Sequence, residues 1–149
     1  MIDGVVVTPL KQIFDERGKV MHMMKDSSPM FSKFGEIYFS CTYPGAIKAW
    51  HLHKQMTLNY AVVHGEIKCV LFDDRPNSPT RGVVEEYFMS PENYFLLTVP
   101  PLVWNGFKGI GDKTAIVANC ATLSHDPNEI ERKSAFDPSI PYDWNIRHK

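Results

Sequence analysis

The sequence predicts an all-β barrel or sandwich, because short runs of strand-forming residues recur along the chain and turn residues separate them. Val, Ile, Tyr, Phe and Thr are concentrated in eight such runs, and Pro or Gly interrupts the sequence between them. Eight short strands at this spacing are typical of β-sandwiches and β-barrels. The predicted strands span residues 4–10, 19–24, 36–43, 58–63, 66–72, 82–89, 94–99 and 114–122.

Helical signal is weak and is confined to two short stretches, 27–34 and 128–132, each long enough for a turn or two. The eleven prolines favour ordered loops over long helices, because proline has no backbone N–H to donate within a helix. The C-terminal segment, 137–149, contains aromatic residues without a strand pattern. We expect it to form an irregular tail that packs across the barrel or against a partner subunit.

The size and composition predict one globular domain, 1–149, whose core needs neither disulfides nor a structural metal. Hydrophobic residues make up 44% of the chain and charged residues 22%, close to the globular average. The formal net charge of -1 argues against a nucleic-acid-binding protein, which would carry a basic patch. The three cysteines are far apart and form no CxxC pair, so no zinc site is indicated. No signal peptide or membrane span is visible, and the cytoplasm is the expected compartment.

The densest group of chemically active side chains lies at 45–54, in the sequence GAIKAWHLHK. His51 and His53 are two residues apart, so on a strand both point to the same face. A single His in an apolar strand often makes only a core hydrogen bond, whereas a close pair followed by a turn glycine favours a functional role. The spacing G-x5-H-x-H resembles the first half of the cupin signature. This resemblance implies a double-stranded β-helix, or jelly-roll barrel, with both imidazoles in its interior.

The second half of the cupin signature argues against a metal or other cofactor. A cupin metal site adds a Glu about five residues after the second His and a further His on a later strand. Leu58 occupies the position of that Glu, and Asn105 stands where the last His would be. Half of the ligand set is therefore replaced by an apolar side chain and an amide, and we expect a pocket without a bound metal.

Further motifs recur along the chain and together extend over nearly its whole length. They are DERG at 15–18, KAWH at 48–51, GEI at 65–67, DRPNSPTRG at 74–82, VPPLVWNGF at 99–107, DPNE at 126–129 and FDP at 136–138 with Trp144. In order and spacing they are similar to the motifs of the dTDP-4-dehydrorhamnose 3,5-epimerases, a family of cupins with metal-free proton chemistry. The sequence therefore resembles this family of nucleotide-sugar isomerases.

The resemblance implies a reaction next to a keto group. A 4-keto group acidifies the C–H bonds at C3 and C5 of the sugar, a base removes one of these protons, and an acid returns a proton to the opposite face. By this resemblance His51 is the base, and Asp137 is the carboxylate that orients it, as in other His–Asp pairs. An ordinary turn before Pro138 is the alternative interpretation of Asp137.

Several positions depart from the family pattern. The enolate-stabilising Lys falls on Leu58, the acid Tyr falls on or beside Asn119, a second pocket His falls on Asn105, and the Arg before the catalytic His is Lys48. Replacements for the acid from other strands are Tyr38, Tyr43 and Tyr60. Because of these departures two alternatives stay open. One is a sugar-nucleotide 3,4-ketoisomerase, a family that the stretch from Lys48 to Lys54, with its two His residues, also resembles. The other is a relative that binds a sugar nucleotide without catalysis.

Other candidates concern substrate binding. Arg17, Lys48 and Arg75 are candidates for pyrophosphate contacts, because cationic donors suit phosphate oxygens. Trp50 and Trp104 are candidates for stacking on the base or the sugar, although aromatic residues in a barrel more often belong to its core. Asn105 and Asn119 are polar residues within apolar segments and are expected to face the pocket, and Tyr60 is a further candidate for substrate binding. The resemblance further implies a homodimer that takes a nucleotide-sugar substrate, with no nucleic acid or membrane as a partner.

Overall fold

The computed structural model describes residues 1–148, which form twelve strands. In chain order these are β1 (Val6–Pro9), β2 (Gln12–Asp15), β3 (Gly18–Met21), β4 (Glu36–Thr42), β5 (Ile47–His53), β6 (Leu58–His64), β7 (Glu66–Phe72), β8 (Val84–Met89), β9 (Phe95–Val99), β10 (Trp104–Ile110), β11 (Ala115–Ala121) and β12 (Ile130–Arg132). The first five-stranded sheet has the order β1-β9-β6-β11-β4, and the second has the order β12-β5-β10-β7-β8. Strands β2 and β3 form a separate hairpin. This all-β architecture confirms the predicted fold class.

The main core lies between the two sheets. Side chains alternate between the two faces of a strand, and on β7 the alternate residues Ile67, Cys69 and Leu71 are fully buried in the core. Val62 of β6 and Val117 of β11 belong to the same core cluster and come from the facing sheet. Burial of apolar side chains from both sheets holds the two layers together.

A second apolar cluster covers the outer face of the second sheet. Trp50 of β5 and Val70 of β7 pack there with Ile140 and Trp144 of the C-terminal segment. The ring centroids of Trp50 and Trp144 are 5.0 Å apart. The segment after β12 thus packs across the barrel as an irregular tail, as the sequence predicts.

The prediction of short helical turns is wrong. No helix occurs within residues 1–148, and none that could cross a membrane is therefore present in that range. Residues 27–34 form turns and irregular chain, and most of the stretch 128–132 is strand β12, whose Ile130 pairs with His53 and whose Arg132 pairs with His51. The conformation of β12 depends on its pairing with β5. This is a long-range contact, which the local sequence propensity does not predict.

Strand β10 is absent from the predicted strands because two glycines interrupt its apolar pattern. Gly106 is needed there, since a Cβ built at this position would lie 2.4 Å from the Cβ of Ala49 on β5. At Gly109 a Cβ would lie 2.4 Å from the carbonyl oxygen of Tyr43. These contacts show that the glycines permit the close approach of neighbouring backbones.

Candidate functional site

A cavity of about 450 Å³ opens between the two sheets. We call it the central cavity. The polar residues that line it are Glu36, Tyr38 and Ser40 from β4, Lys48, His51 and His53 from β5, Tyr60 from β6, His125, and Arg132 from β12. Both imidazoles therefore face the barrel interior, as the G-x5-H-x-H spacing predicts.

A register shift in β5 brings Lys48 and His51 to the same cavity. Asn105 on β10 pairs with His51, but the next residue, Gly106, pairs with Ala49, so β5 contains one extra residue at this point. In a regular strand, residues three apart face opposite sides. The extra residue changes this alternation, and a cation and an imidazole both line the central cavity.

His51 is poised as a neutral imidazole. Partial burial lowers its pKa to about 4, and the positive charges of Arg132 and Lys48 act in the same direction. Neither ring nitrogen has a hydrogen-bond partner within residues 1–148, so a lone pair is free to accept a proton from a ligand in the cavity. The side chain can therefore act as a base at neutral pH.

His53 is held by a buried carboxylate. Its Nδ1 pairs with Oε1 of Glu129, and both side chains are 9% exposed. The other carboxylate oxygen accepts hydrogen bonds of 3.0 Å from the backbone N–H groups of Gln55 and Met56. Burial raises the pKa of Glu129, but these hydrogen bonds outweigh burial and lower it below its ordinary value. An ionised Glu129 therefore fixes the orientation of the His53 ring.

Asn105 connects the two sheets behind the histidines. Its Nδ2 donates to the backbone carbonyl of His51 at 3.0 Å, and its Oδ1 accepts from the hydroxyl of Tyr60 at 3.0 Å. Burial raises the pKa of Tyr60 well above its ordinary value. The amide that replaces the expected histidine thus supports the His51 backbone from beside the cavity.

Asn119 positions a second tyrosine. It lies opposite Tyr38 in the register of β11 and β4, and its Nδ2 donates to the Tyr38 hydroxyl at 2.9 Å. Its Oδ1 accepts from the backbone N–H of Asn59 at 3.0 Å. Asn119 itself is fully buried, so it holds Tyr38 instead of facing a ligand.

Cations flank the histidines. The Nζ of Lys48 donates to Ser40 Oγ at 2.9 Å and to the Cys41 carbonyl at 2.7 Å. Arg132 pairs with His51 across β12 and β5. Neither cation forms a salt bridge with another residue in the range 1–148. Their charges are therefore available to an anionic group in the cavity.

The predicted pairing of Asp137 with His51 requires a correction. The Asp137 carboxylate accepts hydrogen bonds from the backbone N–H and the hydroxyl of Ser139, at 2.8 and 2.6 Å, and it does not line the central cavity. These bonds lower its pKa. The local turn thus satisfies this carboxylate, and the carboxylate that pairs with an imidazole is Glu129, which pairs with His53.

Two of the predicted phosphate-binding arginines lie elsewhere. Arg17 is exposed in the turn of the β2–β3 hairpin and pairs with Asp15 at 2.6 Å. The Arg75 prediction needs correction, because its Nε and NH2 groups donate to the fully buried carboxylate of Asp73, both at 2.9 Å. Arg75 therefore stabilises the loop after β7 and does not reach the central cavity.

The two tryptophans also lie outside the central cavity, which corrects their predicted stacking role there. Trp50 is 1% exposed in the cluster under the C-terminal tail. Trp104 belongs to the same cluster, and the Nζ of Lys133 lies 4.8 Å from its ring centroid. The interpretation of both residues as core is the one that the structure supports.

Three residues of the site, Glu129, Arg132 and His125, are not predicted from the sequence. Glu129 was visible only as part of the DPNE motif, and its partner His53 is 76 residues away. Arg132 lies in a stretch that reads as a helical turn, and His125 has no partner in its own segment. None of these residues carries a local signal that points to the barrel interior. Within residues 1–148, no three His, Cys, Asp or Glu side chains lie close enough together to hold a metal ion.

Comparisons with known proteins identify the family. A family model described as dTDP-4-dehydrorhamnose 3,5-epimerase matches residues 1–149. The spore coat polysaccharide biosynthesis protein SpsL of Bacillus subtilis strain 168 is 32% identical over 151 residues, which cover 100% of both chains. The probable low-salt glycan biosynthesis epimerase Agl13 of Haloferax volcanii is 34% identical, over 97% of this chain and 95% of Agl13.

A solved structure agrees in fold and sequence. The crystal structure of a dTDP sugar isomerase from Desulfovibrio desulfuricans G20 is similar with a TM-score of 0.94 and 45% sequence identity, over 96% of this chain and 92% of that one. The family match covers the whole chain, and the relatives are aligned over nearly their full lengths. The chain therefore belongs to the dTDP-4-dehydrorhamnose 3,5-epimerase family of isomerases.

Proposed function

We propose that the protein is a metal-free epimerase of a nucleotide-linked 4-keto-deoxy sugar, with His51 as the base that removes a proton next to the keto group. The observation that carries this proposal is a neutral imidazole with free ring nitrogens inside a 450 Å³ cavity, which a tyrosine enters from the opposite sheet. A base that is neutral at physiological pH can accept the proton without first losing one. The family match supports the same class of reaction.

The charges around the cavity favour an anionic substrate. Lys48 and Arg132 supply two cations beside His51, and a nucleotide-linked sugar carries a pyrophosphate. A bound pyrophosphate would offset the positive charges that lower the His51 pKa, and it would thereby make the imidazole a stronger base in the complex. Substrate binding and base strength are coupled in this proposal.

His53 and Glu129 orient the substrate and stabilise negative charge in the same proposal. The buried carboxylate keeps Nδ1 of His53 engaged, so the other ring nitrogen is directed to the cavity. When that nitrogen carries a proton, it would donate to the enolate oxygen, a role for which Leu58 on β6 has no suitable group.

A 3,4-ketoisomerase is the second candidate. Both imidazoles lie on one face of β5 and line one cavity. Moving a carbonyl between neighbouring carbons needs proton transfer on one face only, which two histidines can supply. This candidate predicts a product whose keto group has moved, whereas an epimerase leaves the keto group in place and inverts a neighbouring carbon.

We further propose a homodimer that acts in the cytoplasm in the assembly of a polysaccharide or glycan. The roles named for the Bacillus and Haloferax relatives support this setting. Exposed apolar side chains on the outer face of β4, Ile37 and Phe39, and on the β2–β3 hairpin, Phe14 and Val20, support an interface between subunits.

Product analysis tests the proposed function. The protein is incubated with dTDP-linked 4-keto-6-deoxy sugars, and the products are identified by NMR. Inversion at C3 or C5 with the keto group at C4 supports the epimerase. A carbonyl at C3 supports the ketoisomerase instead, and saturable binding without any product would indicate a relative that binds but does not catalyse.

A further inference from the structure

Inversion at carbon needs an acid on the face opposite to the base. His51 comes from the second sheet, and two tyrosines, Tyr38 and Tyr60, line the same cavity from the first sheet. We propose that Tyr38 is the catalytic acid that delivers a proton to the face opposite His51, and that Asn119 is its positioning residue. This inference rests on the proposed function, since it assigns the second proton transfer of that reaction.

The direction of the hydrogen bond between Asn119 and Tyr38 leaves the Tyr38 hydroxyl proton free. The Asn119 Oδ1 accepts from the backbone N–H of Asn59, and a backbone N–H can only donate, so the orientation of the amide is fixed. The Nδ2 group must therefore donate to the Tyr38 hydroxyl oxygen, at 2.9 Å. Because that oxygen is the acceptor, the Tyr38 O–H is free to donate to a ligand.

Tyr60 is not available as the donor, because its hydroxyl proton is already bound to Asn105. The Nδ2 of Asn105 donates to the His51 carbonyl, which can only accept, so the Oδ1 of Asn105 faces Tyr60. The Tyr60 hydroxyl must then donate its proton to that oxygen, at 3.0 Å. Tyr60 is 5% exposed, so its O–H is committed to a buried bond. Breaking this bond would leave a buried acceptor without a partner.

The position of Tyr38 on β4 also suits the role of the acid. Glu36, Tyr38 and Ser40 alternate along β4 and all line the central cavity, whereas Tyr43 lies beyond the strand and is 72% exposed. Tyr38 is 39% exposed, and it therefore combines a fixed hydroxyl with access to a ligand in the cavity. Burial raises the pKa of Tyr38, against the opposing effect of the Asn119 hydrogen bond, so the phenol keeps its proton at neutral pH.

The proton balance is complete with these groups. The lone pair of His51 takes the proton from the carbon next to the keto group, and the electrons of that C–H bond form the enolate. The enolate carbon then takes the O–H proton of Tyr38 from the other face, which leaves a phenolate and an imidazolium. Proton exchange with water returns both groups to their starting states, because the cavity is open to solvent.

The test compares hydrogen exchange with inversion in D2O. In Tyr38→Phe, His51 still removes the proton, and deuterium returns from the same face. We expect the recovered substrate to carry deuterium at the reacting carbon with unchanged configuration, while inversion slows by roughly 100- to 10,000-fold. Tyr43→Phe, which removes the same group outside the cavity, should invert at the wild-type rate. Binding of dTDP checks that the Tyr38→Phe site is intact.

A second measurement does not depend on the stability of that variant. Replacing Tyr38 with a difluorotyrosine keeps the hydroxyl and lowers the phenol pKa, so the basic limb of the inversion rate should move to lower pH. Two results would overturn the assignment. One is inversion by Tyr38→Phe at the wild-type rate, and the other is loss of inversion with retained exchange in Tyr60→Phe alone. Wild type that neither exchanges nor inverts would instead contradict the proposed function.

Discussion

The carboxylate of Glu129 should be the most important single polar group for the stability of the site. It accepts hydrogen bonds from His53 and from the backbone N–H groups of Gln55 and Met56, and its side chain is 9% exposed. Glu129→Ala removes this acceptor and leaves three donors without it, of which His53 Nδ1 and the Met56 N–H are buried. Removing one partner of a buried pair typically costs about 3–5 kcal/mol. We expect the free energy of unfolding to fall by about that amount, out of a typical total of about 5–15 kcal/mol.

Urea unfolding followed by tryptophan fluorescence measures this change. The comparison is made at one protein concentration, because an assembly would make stability concentration-dependent. Glu129→Gln keeps an acceptor for the backbone N–H groups but loses the charge, and it should cost about 1–3 kcal/mol. Glu131→Ala, on the exposed face of β12, is the matched control and should stay within about 0.5 kcal/mol of wild type. A Glu129→Ala variant as stable as the Glu131→Ala control would refute the reasoning.

Two further predictions concern the loop after β7 and the C-terminal tail. The Arg75 guanidinium beside Asp73 lowers the pKa of this carboxyl below its ordinary 3.8. The ionised Asp73 therefore contributes its full stabilisation of the fold above pH 3.8, and this contribution is lost as the pH falls further. Asp73→Asn should therefore lower the free energy of unfolding at pH 7. In acid titrations monitored by circular dichroism, this variant should lose less additional stability below pH 3.8 than wild type does. An unchanged acid transition would contradict this. Trp144→Ala removes the ring that packs on Trp50 and should cost about 3–5 kcal/mol in the same urea assay, whereas a loss below about 1 kcal/mol would mean that the tail is not part of the core.

The fold was predictable wherever the signal is local. The run of strand-forming residues at 66–72 and the two-residue spacing of His51 and His53 depend only on neighbouring residues. The structure agrees with both, since β7 spans Glu66–Phe72 and both imidazoles line the central cavity. Strand β12 was not predictable in this way, because its three residues become a strand only by pairing with β5. A short segment with no core-facing pattern of its own carries no strand signal.

The site was predictable only in part, for the same physical reason. The pairing of His53 with Glu129 joins residues 76 positions apart, and the bond between Asn119 and Tyr38 joins residues 81 positions apart. Asp137 lies in the expected motif, but a hydroxyl two residues away satisfies it in a local turn. Sequence motifs therefore identify which polar residues are present, while the packing of the two sheets decides which of them meet.

The most direct test of the central claim is deuterium exchange at C3 and C5 of a dTDP-linked 4-keto-6-deoxy sugar, followed by NMR for wild type and His51→Gln. Glutamine keeps a polar side chain of similar reach and removes the basic nitrogen. We expect wild type to exchange these protons, and we expect the exchange rate to fall by at least roughly 100-fold in His51→Gln while binding of dTDP is retained. Because burial lowers the His51 pKa to about 4, kcat/KM for wild-type exchange should stay level as the pH falls from 7 to about 5. Equal exchange rates in the two proteins would contradict the assignment of His51 as the base.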